Sequence, residues 1–225
     1  MRRHVFLIPG FFGFANLGDF TYWGPVRDHL DAALAGSGVA TSIHSVKSLP
    51  TASLRQRTRV LLETVAAVRP GPRDRIHLVG HSTGGLDARL LLTPAVDLAT
   101  RRDVEKIVAR VRSSVSVATP HHGAPIASVF TGLMGRRLLR LLSLATMTAL
   151  RNGQMPLSLW ARMAGLYAMP DALDIARETL VSQIYRQLLA DFNPGRRAEV
   201  EELLGEVQRD QSLLTQLTVE SMDLF

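Results

Sequence analysis

Ile76-His77-Leu78-Val79-Gly80-His81-Ser82-Thr83-Gly84-Gly85 is the stretch from which the fold can be read. A mostly apolar strand, 76–79, runs into Gly-x-Ser-x-Gly, and a helix-compatible stretch, Leu86 to Leu92, follows. A serine on a sharp strand-to-helix turn sits in strained backbone geometry and projects its hydroxyl above the sheet. The residues two before and two after it must be small, because strand and helix backbones nearly touch there. The helix behind the serine aims its free N–H groups and partial positive charge at any oxyanion forming nearby. The five-residue pattern alone would fit a glycine-rich structural turn. The preceding strand, the following helix and the additional Gly85 favour a nucleophile turn, with Ser82 as the candidate nucleophile.

Outward from this turn the chain alternates. Val5–Ile8 reads as a buried strand, Pro25–Leu34 as a helix closed by Gly36 and Gly38, and Val39–Val46 as a second strand. Ser53–Val68 is a helix: Leu54, Leu61, Leu62, Val65 and Val68 recur at helical spacing, which sets arginines 55, 57 and 59 towards solvent. A short helix is expected over Asp103–Arg112 and a strand over Ser113–Ala118, where Val alternates with Ser. Regular strand–helix alternation implies crossover connections and an α/β fold with a mainly parallel sheet and flanking helices. In such sheets ligands bind beyond the carboxyl ends of the strands. Pro9–Gly13, Ser82 and His121-His122 all fall at such ends.

Pro9-Gly10-Phe11-Phe12-Gly13 closes the first strand in a glycine-rich turn. A loop beside the serine turn can offer a backbone N–H to a tetrahedral intermediate, with a second from the residue after the nucleophile. Those donors would be Phe11 and Thr83; the plain alternative is a loop that merely ends a strand. Tyr22 and Trp23 either wall a pocket or pack beneath it.

Composition narrows the function classes. The chain of 225 residues is 46% hydrophobic and 20% charged, in the range of globular proteins. It carries a net charge of +6 from 24 Arg and 2 Lys. The arginines are scattered without aromatic interleaving, so no nucleic-acid partner is expected. A basic surface does suit peripheral contact with an anionic membrane or lipid interface. There is no cysteine, hence no disulfide framework. No His/Asp cluster has metal-ligand spacing, so no catalytic metal and no cofactor are expected. Pro9-Gly10 and Gly13 interrupt the apolar N-terminal run and no cleavage site follows, and no stretch approaches a spanning helix; a cytoplasmic location is expected. After Gly123 the texture changes: 126–190 is rich in Leu, Met and Ala without clear strands, and Leu133–Leu150 has a cationic side with Arg136, Arg137 and Arg140. It reads either as a lid over an apolar pocket or as an ordinary helix packed on the sheet. Further helices are expected over Asp171–Ala190 and most of Arg197–Leu217.

His4–Gly13, Tyr22-Trp23-Gly24, Gly80–Arg89 and Ala118-Thr119-Pro120-His121-His122-Gly123, in that order and spacing, resemble the bacterial lipase branch of the α/β-hydrolases. The resemblance implies an α/β-hydrolase core over 1–125, a helical lid or cap over 126–195 and a helix returning to the core over 196–225. It implies a serine hydrolase of carboxylic esters with apolar acyl chains, with Ser82 as nucleophile and Phe11 and Thr83 as oxyanion-hole donors. An acyltransferase would be a variant of the same chemistry. Two departures stand out. Pro9 occupies a position where the family usually has His. More seriously, the fold supplies its triad in the order serine, acid, histidine, and no histidine follows His122. Residues 213–225 resemble the segment just before the acid-bearing strand, so the last strands, the acid and the histidine are expected to be missing. Two other readings remain: His121 or His122 as the base, or a non-catalytic binding protein that keeps the pocket without the chemistry.

Overall fold

A computed structural model describes residues 1–11, 22–48, 50–130, 139, 141, 143–145, 161, 174–190 and 192–222. Four parallel strands form one sheet in the order β2-β1-β3-β4: β1 Arg3–Ile8, β2 Thr41–Ser45, β3 Arg75–His81 and β4 Val111–Val117. Register runs Arg3↔Thr41 and Arg3↔Arg75 on the two sides of β1, and Leu78↔Ser114 between β3 and β4. The fold is α/β, with helices α1 (Gly24–Ala35), α2 (Leu54–Ala67) and α3 (Thr83–Leu91) connecting or following the strands.

The central strand β1 has both faces covered, so His4 through Ile8 are all buried, as expected of a continuous apolar run in a parallel sheet. On one face Phe6, Ile8, Ile76 and Leu78 pack against Leu61, Leu62 and Val65 of α2 and Ala88 and Leu91 of α3. On the other, Val5, Leu7 and Ile43 meet Trp23 and Leu30. Each fully buried Leu or Phe contributes about 1.5–3 kcal/mol. Helix α2 begins where the sequence predicts: the Ser53 hydroxyl accepts the Gln56 N–H at 3.3 Å. Its next free donor, the Leu54 N–H, reaches Gln216 Oε1 at 2.8 Å, tying the C-terminal part of the chain to the upper end of the sheet.

Three expectations need correction. Arg57 does not face solvent; it is fully buried. The helix expected over Asp103–Arg112 is only α4, Val104–Val108, and β4 starts at Val111 rather than Ser113. Pairing with β3 overrides local helical preference here: the Ile76 N–H donates to Arg110 O at 3.0 Å and Ile76 pairs with Val111. The expectation that most of Arg197–Leu217 is helical holds, as helices Pro194–Arg209 and Ser212–Gln216 with a break at Asp210-Gln211.

Strand β4 forms the rim of the described sheet, and Arg112 to Val117 are exposed, including Val115 at 47% and Val117 at 44%. Beyond it lie α5 (Ile126–Val129), α6 (Asp174–Ala190), α7 (Pro194–Arg209), α8 (Ser212–Gln216) and α9 (Val219–Met222). Val181, Ile184 and Leu188 of α6 and Val200, Leu204 and Val207 of α7 form a core of their own with Leu139, Leu141 and Leu144. Most of the cationic stretch Leu133–Leu150 lies outside the described residues. Among the described residues no helix is long and apolar enough to cross a membrane.

Candidate active site

Ser82 follows the last residue of β3 and precedes the first of α3. Its backbone has φ 52° and ψ −126°, a left-handed conformation that costs a non-glycine residue about 1–3 kcal/mol. Three close approaches hold it there. A Cβ on Gly80 would lie 2.5 Å from the Gly84 carbonyl carbon. A Cβ on Gly84 would lie 2.8 Å from both the Ile8 carbonyl carbon and Pro9 O. A Cβ on Gly85 would strike the Thr119 side chain. Strand β3, helix α3 and the end of β1 therefore meet backbone to backbone, which is why small residues occupy those positions.

The Ser82 N–H donates to Val117 O at 2.8 Å, fastening the turn to the end of β4. Although Ser82 is the N-cap residue of α3, its hydroxyl makes no capping bond and is left for other work. Thr83 is the first residue of α3, so its N–H has no acceptor within the helix. Gly10 lies directly beside the serine: a Cβ there would be 2.7 Å from Ser82 Cβ and 3.2 Å from Ser82 Oγ. The structure thus brings the Pro9–Phe11 loop, Ser82 and Thr83 together at the carboxyl end of the sheet.

Around this cluster lies a layer of polar contacts. The Tyr22 hydroxyl hydrogen-bonds His81 Nδ1, and Trp23 stands edge-on to the same imidazole at 6.3 Å. Burial raises the Tyr22 phenol above its usual range, with the Gly10 backbone amide and Arg57 opposing the rise. Tyr22 therefore stays neutral, and its hydroxyl ties the imidazole of His81, the residue before Ser82, to the start of α1. Arg57 and Asp87, both fully buried, pair through Arg57 Nη2 to Asp87 Oδ2 at 2.7 Å and Arg57 Nε to Asp87 Oδ1 at 3.1 Å. Arg57 Nη2 also donates to Pro9 O at 2.9 Å, and Nη1 to Pro50 O at 3.3 Å. Burial pushes the Asp87 carboxyl up, against the pull of the guanidinium.

All seven histidines are among the described residues, and none of them hydrogen-bonds Ser82 Oγ. His4 bonds His44 at 3.1 Å and lies 3.5 Å from Asp74, at the opposite end of the sheet. His77 Nδ1 pairs with Ser113 Oγ at 2.8 Å. His121 and His122 follow β4 on the serine side; the His121 N–H donates to Thr119 O at 2.9 Å, and its carbonyl accepts from Arg89 at 3.1 Å. The same loop anchors α8: the Ala124 N–H donates to Leu217 O at 2.7 Å. A cavity of about 180 Å³ on the outer side of α3, lined by Leu54, Leu86, Leu90 and Met222, does not include Ser82. Among the described residues no group of three or more His, Asp or Glu is arranged to hold a metal ion.

No known family's sequence profile and no curated protein matches the chain. Among solved structures it is similar to the crystal structure of a metagenomic carboxyl esterase, at 24% identity and a TM-score of 0.37, over 57% of this chain and 33% of that one. The chain thus aligns with about a third of that esterase's length.

Arg57 and Asp87 are the site-supporting residues that motif reading missed, whereas Tyr22 was expected either to wall a pocket or to pack beneath it and is found against His81. Asp87 carried a signal, an acid inside an otherwise apolar helical stretch; Arg57 was one of three neighbouring arginines with nothing to single it out.

Proposed function

We propose that the protein is a serine hydrolase of carboxylic esters, of the lipase and esterase kind, acting on apolar acyl chains. The reading rests on the bacterial-lipase-like motifs and on one observation above others: a serine at φ 52° whose hydroxyl is not spent on capping, set between a helix N-terminus and the Gly10 loop. In this account Ser82 Oγ attacks the ester carbonyl carbon, and the Phe11 and Thr83 amides receive the charge that develops on the carbonyl oxygen. The alkoxide leaves with a proton, and water then releases the acid. The helices drawn from 126–195 would act as a lid, and the basic surface would favour a lipid interface over nucleic acid. A cytoplasmic location is part of the proposal.

Because no imidazole bonds Ser82 Oγ, the expected chemistry is slow acyl transfer to the serine. A serine without a base is a poor nucleophile, and oxyanion donors plus binding alone leave roughly 10³–10⁴-fold over water. The test is p-nitrophenolate release from short and long p-nitrophenyl esters by wild type and Ser82→Ala. A slow release that the substitution abolishes is expected; equal release from both would overturn the assignment. A non-catalytic binding protein is the second reading, favoured by that same lack of a partnered base.

A further inference from the structure

We infer that Arg57 is a positioning residue for the oxyanion loop, clamping the Pro9–Gly10 peptide so that the following amide, Phe11, is presented beside Ser82. The inference rests on the hydrolase reading of the site. Three observations carry it. First, Arg57 is fully buried and its fork is fixed by two bonds to Asp87, itself a fully buried residue of α3, the helix that begins next to Ser82. Second, the same Nη2 that meets Asp87 donates to Pro9 O at 2.9 Å, and Nη1 reaches Pro50 O at 3.3 Å. A planar guanidinium serves both carboxylate and carbonyl in a fixed geometry; an ammonium on a flexible stem does not. Third, that peptide leads into a glycine packed on the nucleophile: a Cβ on Gly10 would lie 2.7 Å from Ser82 Cβ. A peptide unit is planar, so holding its C=O restrains the direction of its N–H as well. The orientation of the next N–H then follows from the Gly10 dihedrals, at a glycine pressed against Ser82 Cβ. The path Asp87–Arg57–Pro9 thus links nucleophile helix and oxyanion loop through side chains that touch no substrate.

The test uses the whole chain, with Arg57→Lys and the paired replacement Arg57→Met with Asp87→Leu. The pair removes both charges together, so it leaves no buried ion uncompensated and keeps the test alive if the lysine variant fails to fold. The first readout is amide hydrogen exchange. Gly10 and Phe11 are expected to exchange about tenfold faster in the variants, the scale of one charge-assisted hydrogen bond, while Leu78 and Val79 in β3 keep their rates. The second is acylation of Ser82 by p-nitrophenyl butyrate: the maximal rate is expected to fall about tenfold with the half-saturating ester concentration unchanged. Exchange that is unchanged at Gly10 and Phe11, or raised equally in β3, would show that Arg57 supports the fold and not the loop. Wild-type protein left unacylated at Ser82 would sink the hydrolase reading, and the exchange comparison would still decide whether Arg57 clamps the loop.

Discussion

Gly84→Ala is the substitution whose consequence the structure fixes most tightly. Taken from helix propensity alone it should stabilise the protein, because Gly in a helix interior is about 1 kcal/mol worse than Ala. The packing says otherwise. The new Cβ would sit 2.8 Å from the Ile8 carbonyl carbon and from Pro9 O, where carbon contacts prefer about 3.5–4.0 Å. Neither neighbour is a flexible side-chain end; both are backbone of the central strand and its loop, so α3 must move away from β1. Overpacking of this kind costs about 1–3 kcal/mol, and a backbone-to-backbone clash belongs at or above the upper end. The net expectation is a loss of about 2 kcal/mol, which for a chain of this size lowers Tm by about 4–8 °C. Gly205→Ala is the control: that glycine lies inside α7 with nothing within 4 Å of the added Cβ. It should raise stability by up to about 1 kcal/mol. Urea unfolding of both variants against wild type, with unchanged m-values, reads the two signs. A Gly84→Ala protein as stable as wild type would refute the close approach of α3 and β1 and, with it, the strained turn.

The buried pair gives a second expectation: Arg57→Met alone should cost about 3–5 kcal/mol, and adding Asp87→Leu should restore part of it, as read in a double-mutant cycle of urea midpoints. Stability should also fall as pH drops from neutral. Burial lowers the folded pKa of His44 and of His77 below the ordinary imidazole value of about 6.5, so the unfolded chain binds more protons between those folded values and about 6.5, and stability is lost across that window as pH falls. Below it Asp74, depressed by the Arg2 and Gly71 amides, adds a loss as pH falls through its folded pKa. A Tm-against-pH series should show the descent, and His44→Gln should flatten its neutral end. Val115→Thr on exposed β4 should change stability by no more than about 0.5 kcal/mol in the same unfolding assay; a larger loss would mean that this face is covered.

The parallel α/β core was legible because its signals are local. Val5–Ile8 is a run that only a strand buried on both faces requires, and the serine turn needs Gly80 and Gly84 where it has them. Helix α2 was readable from its leucine spacing and the Ser53 cap. What failed depended on distant parts of the chain. Periodicity put Arg57 on the outer side of α2, but its partners are Asp87 on α3 and the Pro9 and Pro50 carbonyls, none of them near it in helical spacing. Likewise the residues before Ser113 looked helical until pairing with β3 drew Val111 and Arg112 into β4. The Ser82, Thr83 and Phe11 positions were visible as motif; the contacts of Tyr22 with His81 and of Thr119 with Gly85 were not, since no pattern within one segment encodes a meeting of three.

The most direct test of the central claim is to locate the acyl group. The protein is incubated with p-nitrophenyl butyrate, digested, and mapped by mass spectrometry, with Ser82→Ala alongside. The account predicts a single butyryl adduct on the peptide bearing Ser82, forming slowly because no imidazole is in contact to activate the serine, persisting because none speeds its removal, and absent from the variant. Acylation spread over other serines and lysines at the same rate in both proteins, or no adduct at saturating ester, would contradict it.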